Sequence, residues 1–304
     1  MLGKSLCLVF AFIALANCDA RIRFRFFHQG VGVGDYTTSN FFEIISHPNF
    51  VRTRQSVMFH HSEDNTLTTP QVQDVLNSYA VNPELNFIMV HYDNANTIST
   101  GNSVDLANGI STSLLFLFNN GYNSGLMSLI GHGLGAQIMA RASRNVQNES
   151  NRRHIIGRLT GLDPLDIGLI SGLTLGRLSS VDAQWVESVH TEGSNFGDLG
   201  SNGHIAFFVN GGVTQPMCGQ SLPGARARCS HEFAMTYWAE SVRSSVPIFP
   251  SLQCDNWNNF MVGQCNNNFV SYMGRANWSA NLRGTYYLQT NIQAPFSRDR
   301  APPF

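Results

Sequence analysis

Short apolar runs alternate with amphipathic stretches along most of the chain, a pattern that predicts an α/β fold. Helices are predicted at 71–79, after the start signal Thr69-Pro70, at 104–118, and from Ala136 onward. Strands are predicted where alternating or β-branched apolar residues cluster, at 22–27, 56–59, 86–90, 125–130, 157–162, 186–189 and 204–209. This alternation is typical of a single domain with a mostly parallel sheet and helices on both faces.

A glycine-dense segment at 129–137, Leu-Ile-Gly-His-Gly-Leu-Gly-Ala-Gln, joins a predicted strand to a predicted helix. Two known turns have this shape. One is the nucleophile elbow G-x-S-x-G, which lifts a serine above the sheet and would place Gly133 at the serine position. The other is the dinucleotide-binding fingerprint G-x-G-x-x-G/A, whose spacing Gly131, Gly133 and Ala136 satisfy.

The dinucleotide interpretation lacks its usual context. Its glycine turn follows the first strand of the unit, and an acidic residue about 20 positions later binds the ribose hydroxyls. Here at least three predicted strands precede the turn, and the nearest acid, Glu149, lies in the polar stretch 147–153, which is predicted to be a loop. A dinucleotide-binding oxidoreductase is therefore the minor alternative, and we expect no cofactor.

The elbow interpretation predicts an acid and then a histidine further along the chain, each at or beyond a strand end. Asp163 directly follows the strand predicted at 157–162, and Pro164 ends that strand. His231 follows Cys229-Ser230, in a loop that a disulfide would hold. The order and the placement of both residues favour the hydrolase interpretation.

The N-terminus has the features of a cleaved secretory signal. Lys4 precedes an apolar run at 6–16, and the small residues Cys18 and Ala20 stand three and one positions before Arg21. The apolar run is shorter than the roughly 20 residues that span a bilayer, and no later stretch is long enough. We therefore predict a signal peptide at 1–20, an extracellular mature chain and no transmembrane segment.

Four cysteines remain after cleavage, an even number that predicts two disulfides in an oxidising compartment. Of the three possible pairings we expect the sequential one, Cys218–Cys229 with Cys254–Cys265. Asn148 and Asn277 lie in N-x-[ST] sequons and are predicted glycosylation sites.

Composition adds little beyond this. The 304 residues are 43% hydrophobic and 13% charged, enough apolar content for a large core, and the formal net charge is -1. Without a basic run, the charge pattern gives no reason to expect nucleic acid as a partner.

Several ordered motifs give the chain a resemblance to the animal secreted lipase family, which includes pancreatic lipase, insect venom-type phospholipases A1 and the yolk proteins of flies. The similarity spans nearly the whole mature chain. It rests on residues 131–136, 162–164, 189–193, 210–212, 215–218, 229–231, 284–290 and 294–296. The resemblance implies an α/β-hydrolase fold for residues 21–304 as one lipase-like domain.

By this resemblance Asp163 matches the acid, His231 the general base and Leu134 the residue whose backbone N–H contributes to the oxyanion hole. Gly133 occupies the nucleophile position and has no oxygen with which to attack an ester. The family's His-Gly-aromatic loop, the second part of the oxyanion hole, is replaced by His60-His61-Ser62. The catalytic machinery therefore departs from the family pattern at two independent places.

The family's lid and calcium loop are also altered. The segment 219–228 is a short version of the lid and lacks the apolar residues of a lipid-sensing one. In the calcium loop Arg177 and Asp182 match, but Ser179 stands where the family has a carboxylate, so we expect no metal.

These features predict a secreted, catalytically inactive lipase-family protein that binds a lipid, another apolar small molecule or a protein partner, or acts as a reproductive or storage protein. The alternative is an active carboxylic ester hydrolase, of triacylglycerol lipase or phospholipase A1 type, in extracellular lipid catabolism. It would use another nucleophile or a water activated by His231. Ser62 and Ser128 are the serines considered for this role, and from the sequence neither is well placed, because Ser128 lies inside the strand before the turn and Ser62 lies on the oxyanion loop.

Overall fold

The fold was obtained as a computed structural model that describes residues 21–62, 65–92, 99–169, 175–200, 203–219, 221–246, 248–274 and 282–298. The strands in these residues are β1 (Ile22–His28), β2 (Val31–Thr37), β3 (Gln55–His60), β4 (Leu85–Tyr92), β5 (Met127–His132), β6 (Arg158–Leu162), β7 (Trp185–His190), β8 (Ile205–Val209), β9 (Pro250–Gln253), β10 (Val270–Tyr272) and β11 (Gly284–Leu288). The α-helices are α1 (Pro70–Ala80), α2 (Ser103–Asn119), α3 (Leu134–Glu149), α4 (Pro223–Arg243) and α5 (Trp257–Met261).

All these strands belong to one sheet with the order β10-β9-β11-β8-β7-β6-β5-β3-β4-β1-β2. Its centre, from β11 to β4, is parallel. Antiparallel pairs flank it, with β1 and β2 beyond β4 and β9 and β10 beyond β11. The predicted fold class is confirmed, and β5, which leads to the glycine-dense turn, lies in the middle of the sheet.

Helices cover both faces of the sheet. One apolar cluster joins α2 and α3 to one face, and the other joins α1 and α4 to the opposite face. Neighbouring residues of a strand point to opposite sides, so Met58 and Leu129 belong to the first cluster while Phe59 and Ile130 belong to the second. Burial on both faces explains why the central strands are continuous apolar runs.

Some predicted boundaries are wrong for local reasons. The strand predicted at 125–130 begins only at Met127, because residues 124–126 form a 3₁₀ turn in which Asn123 Oδ1 accepts from the N–H of Gly125 at 2.9 Å. Helix α3 begins two residues before the predicted start and ends at Glu149, inside the predicted loop. The dinucleotide interpretation thereby loses its acid, because Glu149 ends a helix instead of a strand.

A further correction concerns His231. It lies in α4 and not in a loop, since the helix begins at Pro223 within the segment compared with a lid. Edge strand β2 was not predicted either, because it is glycine-containing and largely exposed. No helix in the described part of the chain is both long and apolar enough to cross a membrane.

Two disulfides form with the predicted sequential pairing. Cys218–Cys229 joins the segment before α4 to that helix, and Cys254–Cys265 closes the region around α5. The first bond ties down the part of α4 that carries His231, two residues after Cys229.

Candidate active site

Gly133 forms the sharp turn between β5 and α3. Its backbone angles are φ 56° and ψ -123°, a conformation that costs other residues about 1–3 kcal/mol and glycine much less. Its N–H donates to the carbonyl of Leu162 at 3.0 Å, and its carbonyl accepts from the N–H groups of Ala136 and Leu165 at 3.1 Å each. These bonds fix the turn at the carboxyl edge of the sheet.

Asp163 and His231 meet beside this turn. The Nδ1–H of His231 donates to Asp163 Oδ2 at 2.7 Å, and Asp163 Oδ1 accepts from the backbone N–H groups of Thr191 and Glu192 at 2.7 and 2.9 Å. Asp163 is fully buried. When the imidazole of His231 is neutral, Nδ1 carries the proton and Nε2 the lone pair, the arrangement that a general base requires.

The space above Gly133 is already filled. A Cβ built on Gly133 would lie 2.6 Å from Ser62 Oγ and 2.8 Å from His231 Nε2, closer than real Cβ contacts. Ser62 Oγ and His231 Nε2 therefore border the same small space. Its place in the sequence makes Ser62 an unsuitable nucleophile, whereas the structure puts its hydroxyl beside the elbow.

Ser128, the other serine considered, lies near the start of β5 and lines a cavity with Arg158 and Tyr79. That cavity opens near the amino ends of the strands. Ser128 and the elbow are therefore at opposite ends of β5.

The oxyanion region combines the start of α3 with the segment after β3. Leu134 is the first residue of α3, so its N–H has no acceptor within the helix. The segment His60-His61-Ser62 packs directly on this turn, because a Cβ on Gly135 would lie 2.6 Å from the carbonyl oxygen of His61. The two elements are thus in contact, as an oxyanion site requires.

Hydrogen bonds fix the segment after β3. His60 Nδ1–H donates to the carbonyl of His61 at 2.6 Å, and His61 Nδ1–H donates to that of Ser62 at 2.8 Å. On its other side, His60 Nε2 accepts from the hydroxyl of Tyr92 at 2.5 Å. Each imidazole therefore holds the carbonyl of the following residue.

His132 is a further member of the site that the sequence analysis did not single out. Its Nε2–H donates to the backbone carbonyl of His231 at 3.0 Å, and the two rings are 4.2 Å apart. The only sequence signal is its place inside the elbow motif, between Gly131 and Gly133. We infer that His132 positions the backbone from which the His231 imidazole projects.

The buried histidines of the site are neutral. Burial lowers the pKa of His60 to about 3, and the neighbouring His61 adds to this effect. Burial also lowers the pKa of His61, and it lowers that of His132 well below its ordinary value, with His231 contributing. Apart from any charge on His231, these imidazoles bring no cation to the site.

A cavity of about 200 Å³ lies beside the segment after β3. His61, Asn65, Leu67, His91 and Tyr92 contribute to its wall. It lies at the carboxyl ends of β3 and β4, the edge of an α/β sheet where ligands bind. The site therefore has space for a small apolar group next to His61, the residue before Ser62.

The residues compared with a calcium loop form ion pairs instead. Arg144 Nε and Nη2 donate to the two carboxylate oxygens of Asp182 at 2.9 Å each. Arg177 pairs with Asp166 and Asp198 at 2.6 and 2.8 Å. Within the described ranges no three His, Cys, Asp or Glu side chains are grouped to hold a metal.

Two other predictions concern the surface and the N-terminus. Asn148 is exposed near the end of α3, where its side chain is accessible for glycosylation. Asn277 and the predicted signal peptide at 1–20 lie outside the described residues.

Comparisons with protein-family models and with known proteins show which proteins the chain is similar to. A family model described as Lipase matches residues 19–296. Phospholipase A1 member A of Bos taurus is 33% identical over 112 residues, which cover 36% of this chain and 24% of the relative. Pancreatic triacylglycerol lipase of Myocastor coypus is 30% identical over 194 residues, which cover 55% of this chain and 41% of the relative. Phospholipase A1 of Vespula squamosa is 30% identical over 167 residues, which cover 55% of this chain and 54% of the relative. The matches thus span about half or less of each relative's length.

Proposed function

The chain belongs to the Lipase family, and on this basis we propose that it binds a lipid or other apolar molecule without hydrolysing it through its elbow. The observation that carries this proposal is Gly133 at the nucleophile position, with Ser62 and His231 filling the space of the missing side chain. In a serine protease, loss of the nucleophile alone lowers turnover about a million-fold. A glycine elbow therefore supports binding in preference to covalent catalysis.

Secretion is part of the same proposal. Residues 1–20 would be removed as a signal peptide, and residues 21–304 would form one lipase-like domain with glycans on Asn148 and Asn277. The two disulfides support an oxidising compartment. A role as a reproductive or storage protein, or as the binding partner of another protein, fits a lipase fold that has lost its elbow nucleophile.

The ligand site would be the carboxyl edge of the sheet. The cavity is lined by His61, the residue before Ser62, and by Tyr92 at the end of β4, and burial lowers the pKa of His61. Leu67 and Tyr92 give part of its wall an apolar surface, which favours an apolar group over an ion.

The test combines an activity assay with ligand detection. Purified mature protein is incubated with triacylglycerol emulsions, phospholipid vesicles and p-nitrophenyl butyrate, and an organic extract of the protein is examined by mass spectrometry. If the chain only binds its ligand, the native protein shows no turnover above the buffer rate and a lipid co-purifies with it. Turnover by the native protein that disappears in His231→Ala would overturn the non-hydrolytic proposal.

A second candidate function is carboxylic ester hydrolysis of the triacylglycerol lipase or phospholipase A1 type, in extracellular lipid catabolism. The retained pair of Asp163 and His231, aligned at 2.7 Å, favours it. A chain that only binds lipid has no chemical need for an oriented base. This candidate requires a nucleophile other than residue 133.

A further inference from the structure

We propose that the hydroxyl of Ser62 is the nucleophile that takes the place of the serine absent from position 133. This inference rests on the second candidate function, ester hydrolysis, and names the residue on which that function would depend. It differs from the family arrangement, because the reactive serine would come from the segment after β3 and not from the elbow.

The first support is the position of the two reacting atoms. The Cβ position of Gly133 is 2.6 Å from Ser62 Oγ and 2.8 Å from His231 Nε2, so both atoms face the space that a nucleophile side chain would occupy. In the neutral imidazole of His231 the proton is on Nδ1, which donates to Asp163, so Nε2 carries the lone pair that can take a proton. A hydroxyl next to an oriented base is the arrangement that activates serine.

The second support is the rigidity of the segment that carries Ser62. The carbonyl of Ser62 accepts from His61 Nδ1–H at 2.8 Å and from the N–H of Asn65 at 3.2 Å. Ser62 itself is 4% exposed. A catalytic group must be held within about 0.5 Å of its productive position, and these bonds limit the movement of the backbone at Ser62.

The third support is the environment of Ser62 Oγ. Gly133 adds no side chain between Ser62 and the start of α3, where the N–H of Leu134 has no acceptor within the helix and can donate to an oxyanion. The cavity lined by His61 and Tyr92 has a volume of about 200 Å³, smaller than the roughly 300–1,000 Å³ typical of pockets for drug-sized ligands. The substrate class is therefore an ester with a short acyl group.

The chemistry balances with the residues present. Ser62 Oγ bonds to the ester carbonyl carbon while its proton passes to His231 Nε2. The tetrahedral intermediate collapses, the bond to the alcohol oxygen breaks, and the alcohol leaves with the proton from His231. Water then attacks the acyl-serine, giving a proton to His231, which returns it to Ser62 Oγ as the carboxylic acid is released.

Covalent labelling tests the assignment without requiring turnover. A fluorophosphonate probe is incubated with the full mature protein, and the adduct is located by peptide mass spectrometry. The Ser62 Oγ–P bond forms as the P–F bond breaks, with fluoride as the leaving group and the proton taken by His231. We expect one adduct per chain, on Ser62, and none in Ser62→Ala.

Two variants complete the test. His231→Ala should slow labelling on the order of 10²-fold or more, the usual contribution of a general base. Ser128→Ala, at the opposite end of β5, should label at the native rate. Thermal unfolding of each variant checks its fold, and Ser62→Cys, which should be alkylated by iodoacetamide faster in the presence of His231 than in the His231→Ala background, replaces Ser62→Ala if that variant fails to fold.

The outcomes separate the inference from the function on which it rests. A label on another residue, or hydrolysis of p-nitrophenyl acetate that depends on His231 and persists in Ser62→Ala, overturns the assignment of Ser62 and leaves ester hydrolysis standing. Neither labelling nor hydrolysis by the native protein overturns both and leaves the binding proposal.

Discussion

Ser62 Oγ stands 2.6 Å from the point at which a Cβ of Gly133 would be placed. The segment after β3 and the elbow are therefore fitted to each other, with a hydroxyl on one side and no side chain on the other. Gly133 thus lacks the oxygen of a nucleophile, and the side chains of Ser62 and His231 occupy the space that a side chain at this position would need.

Gly133→Ala should destabilise the fold by about 2–6 kcal/mol, because a left-handed backbone and overpacking each cost a non-glycine residue about 1–3 kcal/mol. The strain arises at φ 56°, and the new methyl would collide with Ser62 Oγ and His231 Nε2. Chemical denaturation monitored by tryptophan fluorescence measures the change.

Gly121→Ala is the matched control. Gly121 also has a positive φ, of 95°, but no described atom beyond its chain neighbours lies within 4 Å of its Cβ position. The Gly121→Ala variant should lose only the contribution of backbone strain, about 1–3 kcal/mol. Equal losses in the two variants would show that Ser62 and His231 do not fill the space above Gly133.

Gly133→Ser alone should give little ester hydrolysis, since the new side chain collides with Ser62 Oγ. Adding Ser62→Gly removes that collision and gives the new serine access to His231. We expect the double variant to exceed the single one by more than about a hundredfold in kcat/KM on p-nitrophenyl butyrate, because an intact nucleophile contributes up to about 10⁶ in turnover. Equal rates in the two variants would contradict a steric block by Ser62.

Much of the sheet could be predicted from the sequence, because both faces of the central strands are buried. Met58 and Phe59 pack on opposite sides, so the apolar run in β3 is continuous and easily recognised. The exposed edge strand β2 has no such run. Its pairing with β1 comes from backbone hydrogen bonds, which leave no apolar pattern.

The site could be predicted in part. Asp163 was identifiable because Pro164 ends its strand, and His231 by its order in the chain. The position of Ser62 could not be predicted, since it depends on where the imidazoles of His60 and His61 hold two successive carbonyls. Such contacts between side chain and backbone have no periodicity in the sequence.

His60 should make the protein less stable in acid. Its folded pKa of about 3 lies below the ordinary histidine value of about 6.5. The unfolded chain therefore binds a proton that the folded chain excludes, and stability falls as the pH drops from about 6.5 towards 3, by about 1.4 kcal/mol per pH unit for this residue. Above that range the effect is absent.

His60→Gln cannot titrate, so its stability should depend less steeply on pH by that amount. Unfolding free energies of both proteins are measured by denaturant titration at pH 7.5, 6.0, 5.0 and 4.0. The difference between the proteins should change below pH 6.5 and be constant above it. Parallel curves over the whole range would contradict a neutral, buried His60.

The ion pair of Arg144 with Asp182 should contribute more to the free energy of unfolding than metal binding does. Asp182 is fully buried, and burial raises the pKa of its carboxyl while the Arg144 guanidinium opposes that rise. Arg144→Met leaves the carboxylate without its cation and should cost about 3–5 kcal/mol, the usual effect of breaking a buried pair. Arg141→Met, on the same helix, controls for the loss of an arginine from α3.

The same pair predicts the response to calcium. Both carboxylate oxygens of Asp182 already accept from Arg144, and Oδ2 also accepts from the N–H of Ser179 at 2.8 Å. Calcium would have to displace these donors, so millimolar calcium or EDTA should leave the Tm of the native protein unchanged in a thermal shift assay. A ligand that binds only the folded state raises its stability in proportion to the logarithm of its concentration. A Tm that rises with calcium would therefore show a metal site in place of the ion pair.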